Sequence, residues 1–229
     1  MPETNRLLDG LPHRVRQRLL AVCDPLEITA GTVLLDQGEI SRHAYFPLGG
    51  IIGLASGVDR HQPLETGLVG NEGMLGATLT LGIDVTPCRA TVHGGGRILR
   101  VAVADLRREF RSGPGLQRVV NRYLYVGYLQ LSVEIACQRF HDVERRLARR
   151  LLMMQDRAHA DHFFLTHTML ANMLGVRRSA VTIAAGELQR RRHIDYSRGE
   201  INIVSRVGLC DDACSCYAAL IASYDHWLV

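Results

Sequence analysis

The stretch Thr166–Gln189, THTMLANMLGVRRSAVTIAAGELQ, limits what this chain can fold into more than any other. Counted from His167, apolar residues stand at positions four, eight, ten and fifteen: Leu170, Leu174, Val176 and Val181. That spacing predicts two short helices that share a buried face. Ala171 is small enough to let the second helix cross close over the first. Gly175 supplies the left-handed backbone that a tight turn requires, and Thr166 is suited to cap the first helix. The pattern is a helix-turn-helix, whose second helix lies in a DNA major groove.

The distribution of charge points the same way. The net charge is +4, and all 27 cationic side chains are arginine. Residues 139–206 hold thirteen arginines against seven acids, residues 1–138 hold fourteen against thirteen, and the segment after 206 adds three acids. The excess therefore falls on the helix-turn-helix segment, and double-stranded DNA is the expected partner. A hydrophobic fraction of 47% with 22% charged residues describes a soluble globular chain. No apolar run reaches the ~18 residues of a membrane span, and Met1–Gly10 has no signal-peptide core. A cytoplasmic protein without membrane contact is expected.

Asn5–Val22 predicts a short amphipathic helix in two parts, the second opening at Pro12. Leu26–Val103 is a series of short β-rich runs separated by glycines, the pattern of a sandwich-like roll. Val103–Arg111 predicts a helix. Gly115–Phe140 is apolar nearly all round, so it is expected to bury one side on the roll and the other on a second copy of itself. His141–Arg157 predicts an amphipathic helix with Val143, Leu147, Leu151 and Leu152 inward and Arg145, Arg146, Arg149 and Arg150 outward. Phe140–Asp142 is the expected hinge. HIDYS-RG-EINIV predicts a hairpin turning at Arg198-Gly199, the wing of a winged helix. The fold class is α+β, with a sensory roll over residues 1–112, a dimer helix and hinge over 113–140, and a winged helix-turn-helix over 141–229.

Six cysteines fit neither a zinc ribbon nor a secreted disulfide framework. Cys210, Cys214 and Cys216 stand close together, which leaves open a redox- or metal-responsive alternative, although C-x-C is tight for a single tetrahedral ion and no fourth ligand is near in sequence. His159, Asp161, His162 and His167 form a weaker group, and no metal site is assigned. Phosphate-loop, HExxH, G-x-S-x-G and paired-carboxylate patterns are all missing, so no enzyme is expected.

The order of roll, long helix and winged helix resembles the catabolite activator/FNR (Crp/Fnr) superfamily of bacterial transcription regulators. LTHTMLANMLGVRRSAV carries the resemblance, together with AYFPLGGIIGL, LVGNEGMLGATLTLG and CRATV in the roll. The resemblance implies a cyclic-nucleotide-binding-like β-roll, a homodimer on a palindromic operator, RNA polymerase as a further partner, and an effector that shifts the dimer helices. Cyclic-nucleotide members use a Glu in a G-E-L turn and an Arg-Ser pair. Gly76-Ala77-Thr78 stands at the first and, with one residue inserted, Cys88-Arg89 at the second, so cyclic AMP is not expected. Glu72, Gly76, Ala77, Cys88 and Arg89 mark the expected effector pocket. Neither the effector nor any cofactor is assigned, which leaves open a ligand-independent regulator whose roll is only a scaffold, and Cys23 stands alone where an FNR-type iron–sulfur protein has a cysteine group. In the recognition helix the family's base-reading Arg matches Arg178, its base-reading acid matches Ser179, a second Arg matches Ile183, and the capping Ser matches Arg177. Thr166, Thr168, Thr182 and Arg198 complete the expected DNA contacts.

Overall fold

Alternating apolar positions in the N-terminal half pair as two antiparallel sheets. The computed structural model describes residues 4–59 and 62–228. After α1 (Arg6–Asp9) and α2 (His13–Leu20), strands β1 (Cys23–Ile28), β7 (Gly96–Ala102) and β3 (His43–Pro47) form one sheet in the order β1-β7-β3. The facing sheet consists of β2 (Val33–Leu35), β6 (Arg89–Gly94), β4 (Ile51–Ser56) and β5 (Leu64–Val69), in the order β2-β6-β4-β5. Ile28 and Ile98 from the first sheet meet Ile52 and Val92 from the second in a shared apolar layer. Where the chain turns between β3 and β4 the backbones run very close. Gly50 has φ +86°, and a Cβ there would lie 2.7 Å from the Gly94 carbonyl oxygen. A 3-10 helix (Ala77–Leu81) lies between β5 and β6.

Helix α3 (Val103–Arg111) occupies the span expected of it, and α4 (Pro114–Phe140) follows with Pro114 in its first turn. Leu116 and Val120 of α4 close an apolar layer with Leu7, Leu19, Phe46 and Leu106 at the helical end of the roll. His141 and Asp142 separate α4 from α5 (Val143–Ala158), and the Asp142 side chain accepts from the Arg145 N–H at 3.0 Å to cap the new helix. The winged unit continues with β8 (His162–Phe164), α6 (His167–Leu174), α7 (Arg178–Arg190), β9 (Ile194–Ser197) and β10 (Glu200–Ile203), its sheet ordered β8-β10-β9. It ends with α8 (Arg206–Asp212) and α9 (Cys216–Leu228). Strands β1 and β8 and helix α8 have no counterpart in the sequence-based reading. No described helix is long and apolar enough to cross a membrane.

Two expectations need correction. Arg146, Arg149 and Arg150 do not face outward. They are 5%, 0% and 1% exposed, because α5 is enclosed by α4, the roll and the winged unit. Arg149 and Arg150, like Arg157 further along the helix, meet acids from outside α5. Arg149 Nη2 meets Glu134 Oε2 at 2.6 Å, Arg150 Nη1 meets Glu65 Oε1 at 2.8 Å, and Arg157 Nε meets Glu72 Oε1 at 2.9 Å. Arg157 also donates to the Tyr224 hydroxyl, which in turn donates to Gln130 Oε1, both at 2.9 Å. Arg146 donates to the Leu174 carbonyl, and Glu65 is hydrogen-bonded to His93 as well. These bonds fasten the winged unit to the roll and to α4, with Ile51 and Leu68 of the roll sharing the winged unit's apolar core.

The second correction concerns α4. Its inner face is polar toward the C-terminal end, where Gln130 and Glu134 are buried, and α9 packs along part of it, with Trp227 edge-on to Tyr125 at 5.2 Å. Tyr125, Tyr128, Leu131, Ile135 and Phe140 remain exposed.

Candidate nucleic-acid interface

Thr166 caps α6 by accepting from the Met169 N–H at 3.2 Å. The helix stops where Gly175 enters the left-handed region at φ +63°. The Val176 N–H reaches the Ala171 carbonyl at 3.1 Å and the Gly175 N–H reaches that of Asn172 at 3.4 Å, a Schellman closure that satisfies two helix-end carbonyls. Van der Waals space at Gly175 is also occupied, since a Cβ would meet Leu64 Cδ1 of the roll at 2.5 Å.

Helix α7 then presents two faces. Val181, Ala184, Ala185 and Leu188 are buried, while Arg178, Ser179, Thr182, Ile183, Gly186 and Gln189 are exposed at three- and four-residue intervals. Its N-cap residue, Arg177, makes no side-chain cap, so the first N–H groups of α7 receive no side-chain acceptor from it. Thr182 Oγ1 is 3.0 Å from His167 Nδ1, and the His167 ring stacks on Tyr196 of the wing with centroids 4.5 Å apart. Burial, and then the charge of Arg178, hold the His167 imidazole below its ordinary pKa of 6.5. The wing turn is Arg198-Gly199, with φ +52° and +91°, the two-residue geometry that favours glycine at its second position.

All eight DNA-contact candidates lie on this surface or its margin: Thr168, Arg177, Arg178, Ser179, Thr182, Ile183 and Arg198 are exposed, while Thr166 is half-buried and its hydroxyl is engaged in capping. Arg177, Arg178, Arg192 and Arg198 are exposed with no carboxylate partner among the described residues. Exposed arginines elsewhere are of both kinds: Arg191 pairs with Glu144 at 2.6 Å and Arg206 with Asp156 at 2.8 Å, while Arg14, Arg42 and Arg122 also meet no carboxylate among the described residues. Sequence spacing does not separate the two sets.

The effector candidates divide. A cavity of about 440 Å³ lies between the roll and α4, and Gly76, Ala77 and Cys88 line it together with Tyr123, Leu124 and Tyr128 of α4. Glu72 is not among its walls, being held by Arg157. Arg89 lies outside it as well, 3.3 Å from Asp36. No arginine or histidine is among the lining residues, whose polar groups include Ser41, Thr66, Thr78 and Thr86. The His159, Asp161, His162 and His167 group does not converge: His162 meets Glu200, His159 meets Asn71 and His167 meets Thr182.

Residues 145–211 match the Crp-like helix-turn-helix domain model. No curated protein matches the sequence. Among solved structures, the c-di-GMP-responsive global regulator CLP of Xanthomonas campestris is similar at a TM-score of 0.68 and 16% identity, over 85% of this chain and 100% of that one. FixK2 from Bradyrhizobium japonicum gives 0.69 and 13%, over 84% and 98%. A CRP/FNR-family transcriptional regulator from Thermus thermophilus gives 0.66 and 23%, over 83% and 98%. Residues 145–211 are thus a Crp-like helix-turn-helix domain, and the chain as a whole has the fold of the Crp/Fnr transcription regulators.

Proposed function

We propose that the chain regulates transcription by binding a palindromic operator as a homodimer, with α7 of each copy in a major groove. The observation that carries this reading is the open polar face of α7, edged by arginines that meet no acid of their own chain among the described residues. Unpaired exposed guanidiniums gain from displacing counterions on a duplex, whereas the buried Arg146, Arg149, Arg150 and Arg157 are already committed. In this reading Arg178, exposed in the first turn of α7, donates twice to a guanine edge, and Ile183, 70% exposed, meets a thymine methyl.

Dimerisation through α4 is supported by its uncovered stripe. Tyr125, Tyr128, Ser132 and Ile135 follow one another at alternating spacings of three and four, the period of a two-helix seam. Tyr128 belongs both to this stripe and to the cavity wall, so a molecule in the cavity would act directly on the seam. An apolar effector with a few hydrogen-bonding groups fits those walls better than a cyclic nucleotide, whose phosphate would be buried without a cation. Selection of bound duplexes from a random pool tests the reading. The expected product is an inverted repeat, and enrichment without symmetry would contradict it.

A further inference from the structure

The end of α4, the hinge and the link between α8 and α9 bring four metal-ligating side chains together. Cys137 stands in the last turn of α4, His141 caps that helix, and Cys214 and Cys216 precede or open α9. Their donor atoms all lie within 4.8 Å of one another. Cys137 Sγ is 3.5 Å from Cys214 Sγ, and Cys216 Sγ is 3.6 Å from His141 Nδ1. A tetrahedral zinc ion, with Zn–S about 2.3 Å and Zn–N about 2.0–2.1 Å, needs S···S edges of about 3.8 Å and S···N edges of about 3.6 Å. We propose that Cys137, His141, Cys214 and Cys216 form a closed, four-coordinate zinc site that clasps the hinge to the C-terminal segment.

The surrounding charge supports an anionic centre. Among the described residues three buried guanidiniums, those of Arg146, Arg149 and Arg150, face two carboxylates, Glu134 and Glu65. Zinc with three thiolates and a neutral imidazole carries one net negative charge, which offsets that excess. Arg149 acts electrostatically on Cys137, Cys214 and Cys216 alike. Cys137 and Cys214 are buried and His141 and Cys216 half-buried, so the ion has an edge from which to enter. A Cys137–Cys214 disulfide would use two of the four donors and leave the convergence of the other two unexplained. Cys210, exposed on α8, is not a member of the group. The C-x-C spacing that is tight for neighbouring ligands is relieved because the other two come from α4 and its cap. Loading ties two stretches of chain, 137–141 and 214–216, at the point where α4 hands over to α5. A metal-free chain keeps them together through packing and through hydrogen bonds such as that from Tyr224 to Gln130.

Elemental analysis of the full-length protein, purified under reducing conditions without chelator and dialysed, tests the site. About one zinc per chain is expected, retained in Cys210→Ser and lost in Cys216→Ser and His141→Ala. Cobalt substitution of the wild-type protein gives a readout that no variant's folding can disturb: thiolate-to-cobalt charge transfer with strong tetrahedral d–d bands. A reduced wild-type protein that takes up neither zinc nor cobalt overturns the proposal. So does zinc that stays bound in folded Cys216→Ser and His141→Ala, or a Cys137–Cys214 disulfide as the form present in reducing buffer. None of these results bears on whether α7 binds DNA.

Discussion

Arg178 and Arg150 are the same side chain in opposite settings. The first is exposed on α7 with no acid near it among the described residues, and the second is 1% exposed against Glu65. The difference sets what each substitution does. Arg178→Ala removes a base contact, so operator affinity is expected to fall about 5- to 150-fold, the equivalent of about 1–3 kcal/mol, with random duplex much less affected. Fluorescence anisotropy on both duplexes measures this, and equal losses on the two would exclude base reading by Arg178. Glu72→Gln instead strands the Arg157 charge in the interior. Unfolding by urea should then show a loss of about 3–5 kcal/mol, and a change below about 1 kcal/mol would mean that Arg157 is rehydrated in the variant. Thr166, Gly175 and Arg198 were legible in the sequence because caps and turns depend on local backbone geometry. The partners of Arg149, Arg150 and Arg157 were not, since Glu134, Glu65 and Glu72 lie 15, 85 and 85 residues away and outward arginines give the same helical pattern.

Among the elements, α4 and α5 repay separate treatment. The exposed stripe of α4 predicts that Ile135→Asp, which leaves the buried face untouched, converts a dimer to a monomer at micromolar concentration. Sedimentation velocity decides the matter, and an unchanged dimer would move the interface elsewhere. Glu134 carries the acid response of the α4–α5 contact. Burial pushes its carboxyl upward, but Arg150 and Arg149 together more than offset this and hold it below its ordinary value of 4.5. Its folded pKa is therefore lower than its unfolded one. The stability it contributes is present above pH 4.5 and is lost as pH falls below that value toward the folded pKa. Wild-type urea midpoints should drop over that interval, and Glu134→Gln should drop less; parallel profiles would remove Glu134 from the account. The span read for α3 matches the helix, and α4 begins at Pro114, one residue before the apolar stretch Gly115–Phe140 that marked it. Strands β1 and β8 were not, because each depends on pairing with a distant strand, β7 or β10, more than on its own composition.

For the molecule as a whole, the order of roll, long helix and winged helix could be read from the change of period along the chain. Docking of the winged unit on the roll could not, because it rests on Arg150–Glu65 and Arg157–Glu72 and on shared core residues such as Ile51. That docking puts a cost on any rearrangement of the winged unit, and the cavity beside Tyr128 is where a bound molecule could offset it. The central claim is that two copies of α7 read one face of a duplex. Hydroxyl-radical footprinting on a selected operator tests it most directly. The account predicts two protected patches whose centres lie about one helical turn, roughly 10–10.5 base pairs, or a whole multiple of it apart, both lost in Arg178→Ala. A single patch, or protection that survives Arg178→Ala unchanged, would contradict it.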